Sequence, residues 1–136
     1  MASQIIGTRA ANALVEDAEL ALPGGAALDS IVDLHTVKLV LAAFKTAYGG
    51  LWVGGRATLT ISDISFRPNA MNRAIQTGSM DIVVPLPAVV RVEVLRGFVT
   101  QIIAIHAPGF VVKIRCFNAH AFADQIRSAA DSARGA

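Results

Sequence analysis

The sequence predicts a mainly β (α+β) domain, a strongly bent antiparallel sheet of about seven strands capped by a C-terminal helix. Three observations predict it. From Thr36 onward, short apolar runs with a period of two recur between turn residues. The alternation is cleanest in "AVVRVEVL", where Val90, Val92 and Val94 alternate with Arg91 and Glu93. After the last such run, Phe122, Ala123, Ile126 and Ala130 recur at helical spacing behind Asn118, a good N-cap.

Taken in order, residues 1–35 read as a helical extension ahead of a domain over residues 36–133. In "TRAANALVEDAELAL", Thr8 suits an N-cap, and Ala11, Leu14, Val15 and Ala18 form a helical apolar stripe. Pro23-Gly24-Gly25 would stop that helix. "AALDSIVDLH" reads as a further short helix or an irregular approach to the first strand. "TVKLVLAAFKTAY" suits either a helix or a strand. Its place before a run of strands, and its glycine-rich exit "GGLWVGG", favour a strand.

"RATLTISD" then puts Leu59 and Ile61 on one face and Thr58 and Thr60 on the other. "ISFRP" repeats the period with Ile64 and Phe66, across a tight turn at Ser62-Asp63. Residues 69–79 form a polar loop. "MDIVVPL" and "AVVRVEVL" follow as strands, separated by Pro85 and Pro87. Arg96-Gly97 turns the chain into "FVTQIIAIHA", and Pro108-Gly109 turns it into "FVVKIRCF". There Phe110, Val112, Ile114 and Cys116 share one face, opposite Lys113 and Arg115.

With 54% apolar and 16% charged residues, and a mean hydropathy of +0.54, the chain is an ordered domain with one core. It has less polar surface than a small monomer usually shows, so apolar area is exposed or is covered by another subunit, a membrane or a partner. Twelve cations against ten anions make no concentrated basic patch. Arg91, Lys113 and Arg115 could share a solvent face, but no aromatic alternates with them for base stacking, so nucleic acid is not an expected partner. The longest apolar run, "LVLAAF" between Lys38 and Lys45, falls far short of the roughly 20 residues of a spanning helix. The N-terminus lacks a basic region followed by an apolar core, and Cys116 is the single cysteine. A cytoplasmic setting is expected, peripheral to the membrane if lipid is the ligand.

In this order the elements resemble the GRAM group of the pleckstrin-homology-like (PH-like) superfamily over roughly Val37 to Ala130. The resemblance rests on "GGRATLTISDISFRPN", on Asn69 and Asn72 in the following loop, on "IVVPLPAVVRVEV", and on Phe122 near the start of the terminal helix. Ala57 departs from the pattern, where a larger apolar residue is common. The resemblance implies a partly open β-barrel and a non-catalytic binding module for phosphoinositides, peptides or proteins, with no cofactor. In lipid-binding relatives, a Lys from the first strand and an Arg-x-Arg from the second hold the phosphates in the mouth between those strands. Carried over, this implicates Lys45 and Arg56, with Arg67 and Arg73 nearby. Thr58 stands where the second arginine of the pair would be.

Converging cations are what a multiply charged headgroup needs, since guanidinium binds oxyanions in a bidentate way. The alternative for all four is ordinary solvated strand-end charge. Trp52 lies between Leu51 and Val53 in "GGLWVGG". That apolar tip can fold back over the barrel mouth, meet a partner protein or enter a membrane interface. His35, His106 and His120 lack metal-ligand spacing, and Cys116 falls on an apolar face. No constellation for catalysis is expected. The favoured partner is another protein or a second copy of the chain, with an anionic membrane surface as the alternative.

Overall fold

Pairing between distant strands, more than local propensity, decides the architecture. The computed structural model describes residues 4–17, 34–48, 51–69, 81–97 and 99–135. Ile5–Asp17 form β1, which pairs antiparallel on one side with β2 (Val53–Thr60) and on the other with β7 (Phe110–Arg115). β3 (Asp63–Pro68) and β4 (Ile82–Pro85) continue the sheet beyond β2, while β5 (Arg91–Leu95) and β6 (Ile102–Ala107) continue it beyond β7. Among the described residues the order is β4-β3-β2-β1-β7-β6-β5, so β4 and β5 are edges and the sheet is not closed. Two helices pack on it, α1 (Leu34–Tyr48) and α2 (Ala119–Gly135).

The strand count and the terminal helix match the sequence-based expectation, but two elements exchange roles. The helix expected from Thr8 is β1, and the strand expected over Thr36–Tyr48 is α1. β1 is a strand because it is hydrogen-bonded on both sides, which outweighs the helix propensity of its alanines, leucine and glutamate. α1 is a helix because Val37, Leu41 and Phe44, at i, i+4 and i+7, form one buried stripe. The sheet therefore takes in residues that the sequence reading assigns to a separate extension. The expected stop at Pro23-Gly24-Gly25, the segment "AALDSIVDLH" up to residue 33 and the expected 69–79 loop beyond Asn69 lie outside the described residues.

Both helices lie on the inner face. α1 packs on β1 and β4, and α2 reaches from β1 to β5. In a flat sheet β1 and β4, three strand spacings apart, would be about 14 Å apart. A helix roughly 10 Å across touches both only if the sheet curls around it. Ala57, Leu59, Ile64, Phe66, Ile82, Val84, Ile103, Ile105, Val112 and Ile114 supply the sheet side of the core. Phe122, Ala123 and Ile126 fill it from α2, and Leu41 and Phe44 from α1. Phe44 meets the Phe66 ring edge-on, with centroids 6.1 Å apart.

The turns follow their chemistry with two departures. At the β2–β3 turn, Thr60 Oγ1 accepts from the N–H groups of both Ser62 and Asp63, at 3.0 Å each. β2 ends at Thr60, so Ile61, expected in the core beside Leu59, is turned out and 57% exposed. The Arg96-Gly97 turn is also longer than a two-residue hairpin, since β6 starts only at Ile102. Gly109 turns β6 into β7 with φ +82°, a conformation that favours glycine.

Candidate functional site

The register of β1, β2 and β3 assigns the outer face residue by residue. Ala10, Arg56 and Arg67 form one cross-strand row, and Thr8, Thr58 and Ser65 form the next. Asn12 and Gly54 stand in the row on the other side, where Asn69 N–H donates to Gly54 O at 3.0 Å. Arg56 and Arg67 thus face each other directly across the ladder, both exposed. Arg56 makes a long contact to Thr8 Oγ1, 3.5 Å, and among the described residues neither arginine is ion-paired.

The other half of the outer face is built differently. Arg91 and His106 share Glu93, with Arg91 Nη2 and His106 Nε2 at 2.9 and 2.6 Å from Oε1. Lys113 Nζ lies 3.0 Å from Glu16 Oε2. Arg115 stacks on the Trp52 ring, 4.4 Å from its centroid. Cations on β5, β6 and β7 are thus matched by carboxylates or by the indole, whereas β2, β3 and the Thr8–Asn12 stretch of β1 present hydroxyl, amide and guanidinium groups. The acid there, Asp63, sits at the far end of β3 beside Thr60 Oγ1, 3.4 Å away.

The sequence-derived cations separate accordingly. Arg56 and Arg67 come together. Lys45 is on α1 rather than on a first strand, and its Nζ lies 2.6 Å from Asp17 Oδ2. Arg73 lies outside the described residues. The end of the sheet near Asp17 and Gly109 is occupied by α1, with the Lys38 side chain over Gly109 and Phe44 buried beneath. The 51–53 tip is divided as well. Val53 is in the core as the first residue of β2, Trp52 is half-buried against Arg115, and Leu51 remains 70% exposed.

A second surface lies at the opposite end and was not legible as a site. Ile6, Ile61, Gln125, Ser128, Ala129 and Ser132 line an open groove of about 290 Å³ between α2 and the β2–β3 turn. Ile5 is 60% exposed next to it. None of the lining residues is charged. The signal available in the sequence was the pair Ile5-Ile6, which a helix starting at Thr8 leaves outside any element.

Cys116 is buried on the inner face, and burial raises its thiol pKa, opposed in part by Arg9. The Arg9 guanidinium lies 4.8 Å from the Phe122 ring centroid. Among the described residues no three His, Cys, Asp or Glu side chains converge as metal ligands, and no helix is long and apolar enough to cross a membrane.

No protein-family model and no curated protein matches the sequence. Among solved structures, the chain is similar to one described as "Vps36 N-terminal PH domain", at 10% identity and a TM-score of 0.57. The match covers 98% of this chain and 83% of that one. At such an identity the likeness is one of fold, and the seven-stranded antiparallel sheet with its C-terminal helix is PH-like.

Proposed function

We propose that this chain is a non-catalytic binding module of the GRAM type that works by associating with a protein surface, in the first instance a second copy of itself. The observation that carries the reading is the uncharged groove lined by Ile6 and Ile61, with Ile5 exposed beside it. Apolar side chains clustered at a rim without charge favour burial against another protein, and a two-fold contact there meets no like-charge repulsion. The apolar composition of the whole chain points the same way. The GRAM assignment is supported by "GGRATLTISDISFRPN", which spans most of β2, the Thr60-anchored turn and β3.

Two features favour a protein surface over an anionic lipid headgroup held by Lys45, Arg56, Arg67 and Arg73. α1 fills the end of the sheet, and Asp17 already neutralises Lys45. Size-exclusion chromatography with light scattering tests the reading. A dimer or larger species is expected, and Ile61→Asp shifts it to monomer. A monomer at every concentration removes self-association.

A further inference from the structure

On the β1–β2–β3 outer face, Arg56 and Arg67 stand directly opposite each other, both exposed, with no carboxylate paired to either among the described residues. Like charges opposed on an antiparallel ladder oppose strand pairing unless an anion sits between them. Elsewhere on the outer face Glu93 provides a counter-charge for Arg91 and Glu16 for Lys113, while Arg115 stacks on Trp52. Around the two arginines the neighbours are hydrogen-bonding groups without negative charge: Thr8, Asn12, Thr58 and Ser65. Ala10 and Gly54 are small and leave the guanidinium planes accessible.

From this we infer that the outer face of β1–β2–β3 binds a phosphate monoester carried by a partner protein chain, with Arg56 and Arg67 gripping the phosphoryl oxygens. Directly opposed residues on neighbouring strands are about 5 Å apart, close enough for both guanidiniums to reach one phosphoryl group. Their two positive charges match the roughly −1.5 to −2 of a phosphorylated Ser, Thr or Tyr. The face is an open strand surface rather than an enclosing cavity, which suits an extended peptide better than a small metabolite. Two cations are a weak hold on an anionic membrane, whose attraction grows with the number of basic residues. The site lies apart from the Ile6–Ile61 groove and does not depend on the self-association proposed there.

The test is binding of two peptide pools with randomised uncharged flanks, one phosphorylated at a central serine and one not, read by fluorescence anisotropy. Phosphatidylserine vesicles and inorganic phosphate run alongside. The phosphorylated pool is expected to bind, with inorganic phosphate competing. Arg56→Ala and Arg67→Ala should each weaken binding about tenfold or more. Arg56→Lys and Arg67→Lys, which keep the charge and the fold, should weaken it less, and Ile61→Asp should leave it unchanged. In ¹H–¹⁵N spectra the Nε–H signals of Arg56 and Arg67 should shift on binding. Equal binding of the two pools overturns the inference, as does binding that survives both alanine changes. Binding to vesicles alone also overturns it, and assigns the face to a membrane instead.

Discussion

Arg127 of α2 donates through both Nε and Nη2 to the carbonyl oxygen of Val92 on the edge strand β5, at 3.1 and 3.0 Å. That carbonyl would otherwise be open to a further strand, so the helix covers one edge of the sheet by occupying its hydrogen-bonding capacity. Nη1 is held in turn by Asp124 at 2.8 Å. Arg127→Met keeps the aliphatic stem and removes the donors. A hydrogen bond from a charged group is worth about 1.5–3 kcal/mol. The lower end is expected here because the Arg127 side chain is 41% exposed. Urea denaturation measures the loss, and light scattering should show more self-association of the variant through the freed edge.

α1 belongs to the core. Phe44 is 1% exposed and touches both Phe66 and Tyr48. Phe44→Ala is expected to destabilise by about 3–5 kcal/mol, the range for deleting a buried phenyl ring. Leu39→Ala, on the 56% exposed side of the same helix, should change the urea midpoint little. Comparable effects at the two positions would show that α1 does not pack as described.

Gly55 is fixed by a close approach of backbones. A Cβ there would lie 2.2 Å from Arg67 O and 2.8 Å from Phe66 Cζ. The carbonyl belongs to the paired strand and cannot swing away, so Gly55→Ala must push β2 and β3 apart. A loss of about 1–3 kcal/mol is expected, toward the upper end. Amide exchange should quicken along β2–β3 before β5–β6.

Burial holds the Cys116 thiol above its ordinary pKa, with Arg9 pulling it partly back. A raised folded pKa means the folded state keeps its proton longer than the unfolded one. The associated stability is complete below the unfolded thiol pKa and is lost as pH climbs through the folded value. Wild type and Cys116→Ala should therefore differ most in urea midpoint at neutral pH. The gap should narrow through the alkaline thiol range. Modification by a thiol reagent should be slow until the protein unfolds.

Where a side-chain pattern faces one core surface and is bounded by turn residues, the sequence was readable. β2, β3, β7 and α2 fall where their periodicities put them, because Leu59, Ile64, Phe66, Val112 and Ile126 alternate or recur against a single surface. β1 was not readable. Its inner-face positions are Gly7, Arg9, Ala11, Ala13 and Val15, of which Gly7, Ala11 and Ala13 are small and Arg9 is charged, so the apolar alternation that marks a strand is nearly absent. The i, i+4, i+7 stripe of α1 was present, but the surrounding strands pointed to the wrong element. At the site level, the types of Arg56 and Arg67 were legible while their opposition was not, since it depends on a register of five residue pairs between β2 and β3.

The placement of β1 has a consequence for how the chain assembles. β2–β3–β4 and β5–β6–β7 are each meanders of neighbours in sequence, and β1 is the strand that joins them in the sheet. On one flank its partner Arg115 lies about a hundred residues from Asn12. Loop closure of that length is slow, so the two meanders can form as local units before β1 zips them together. A chain starting at Thr36 would keep α2, all but the first two residues of α1, and the β2–β3 and β6–β7 turns, but lose that keystone. It would behave as two short sheets with no hydrogen-bonded seam between them.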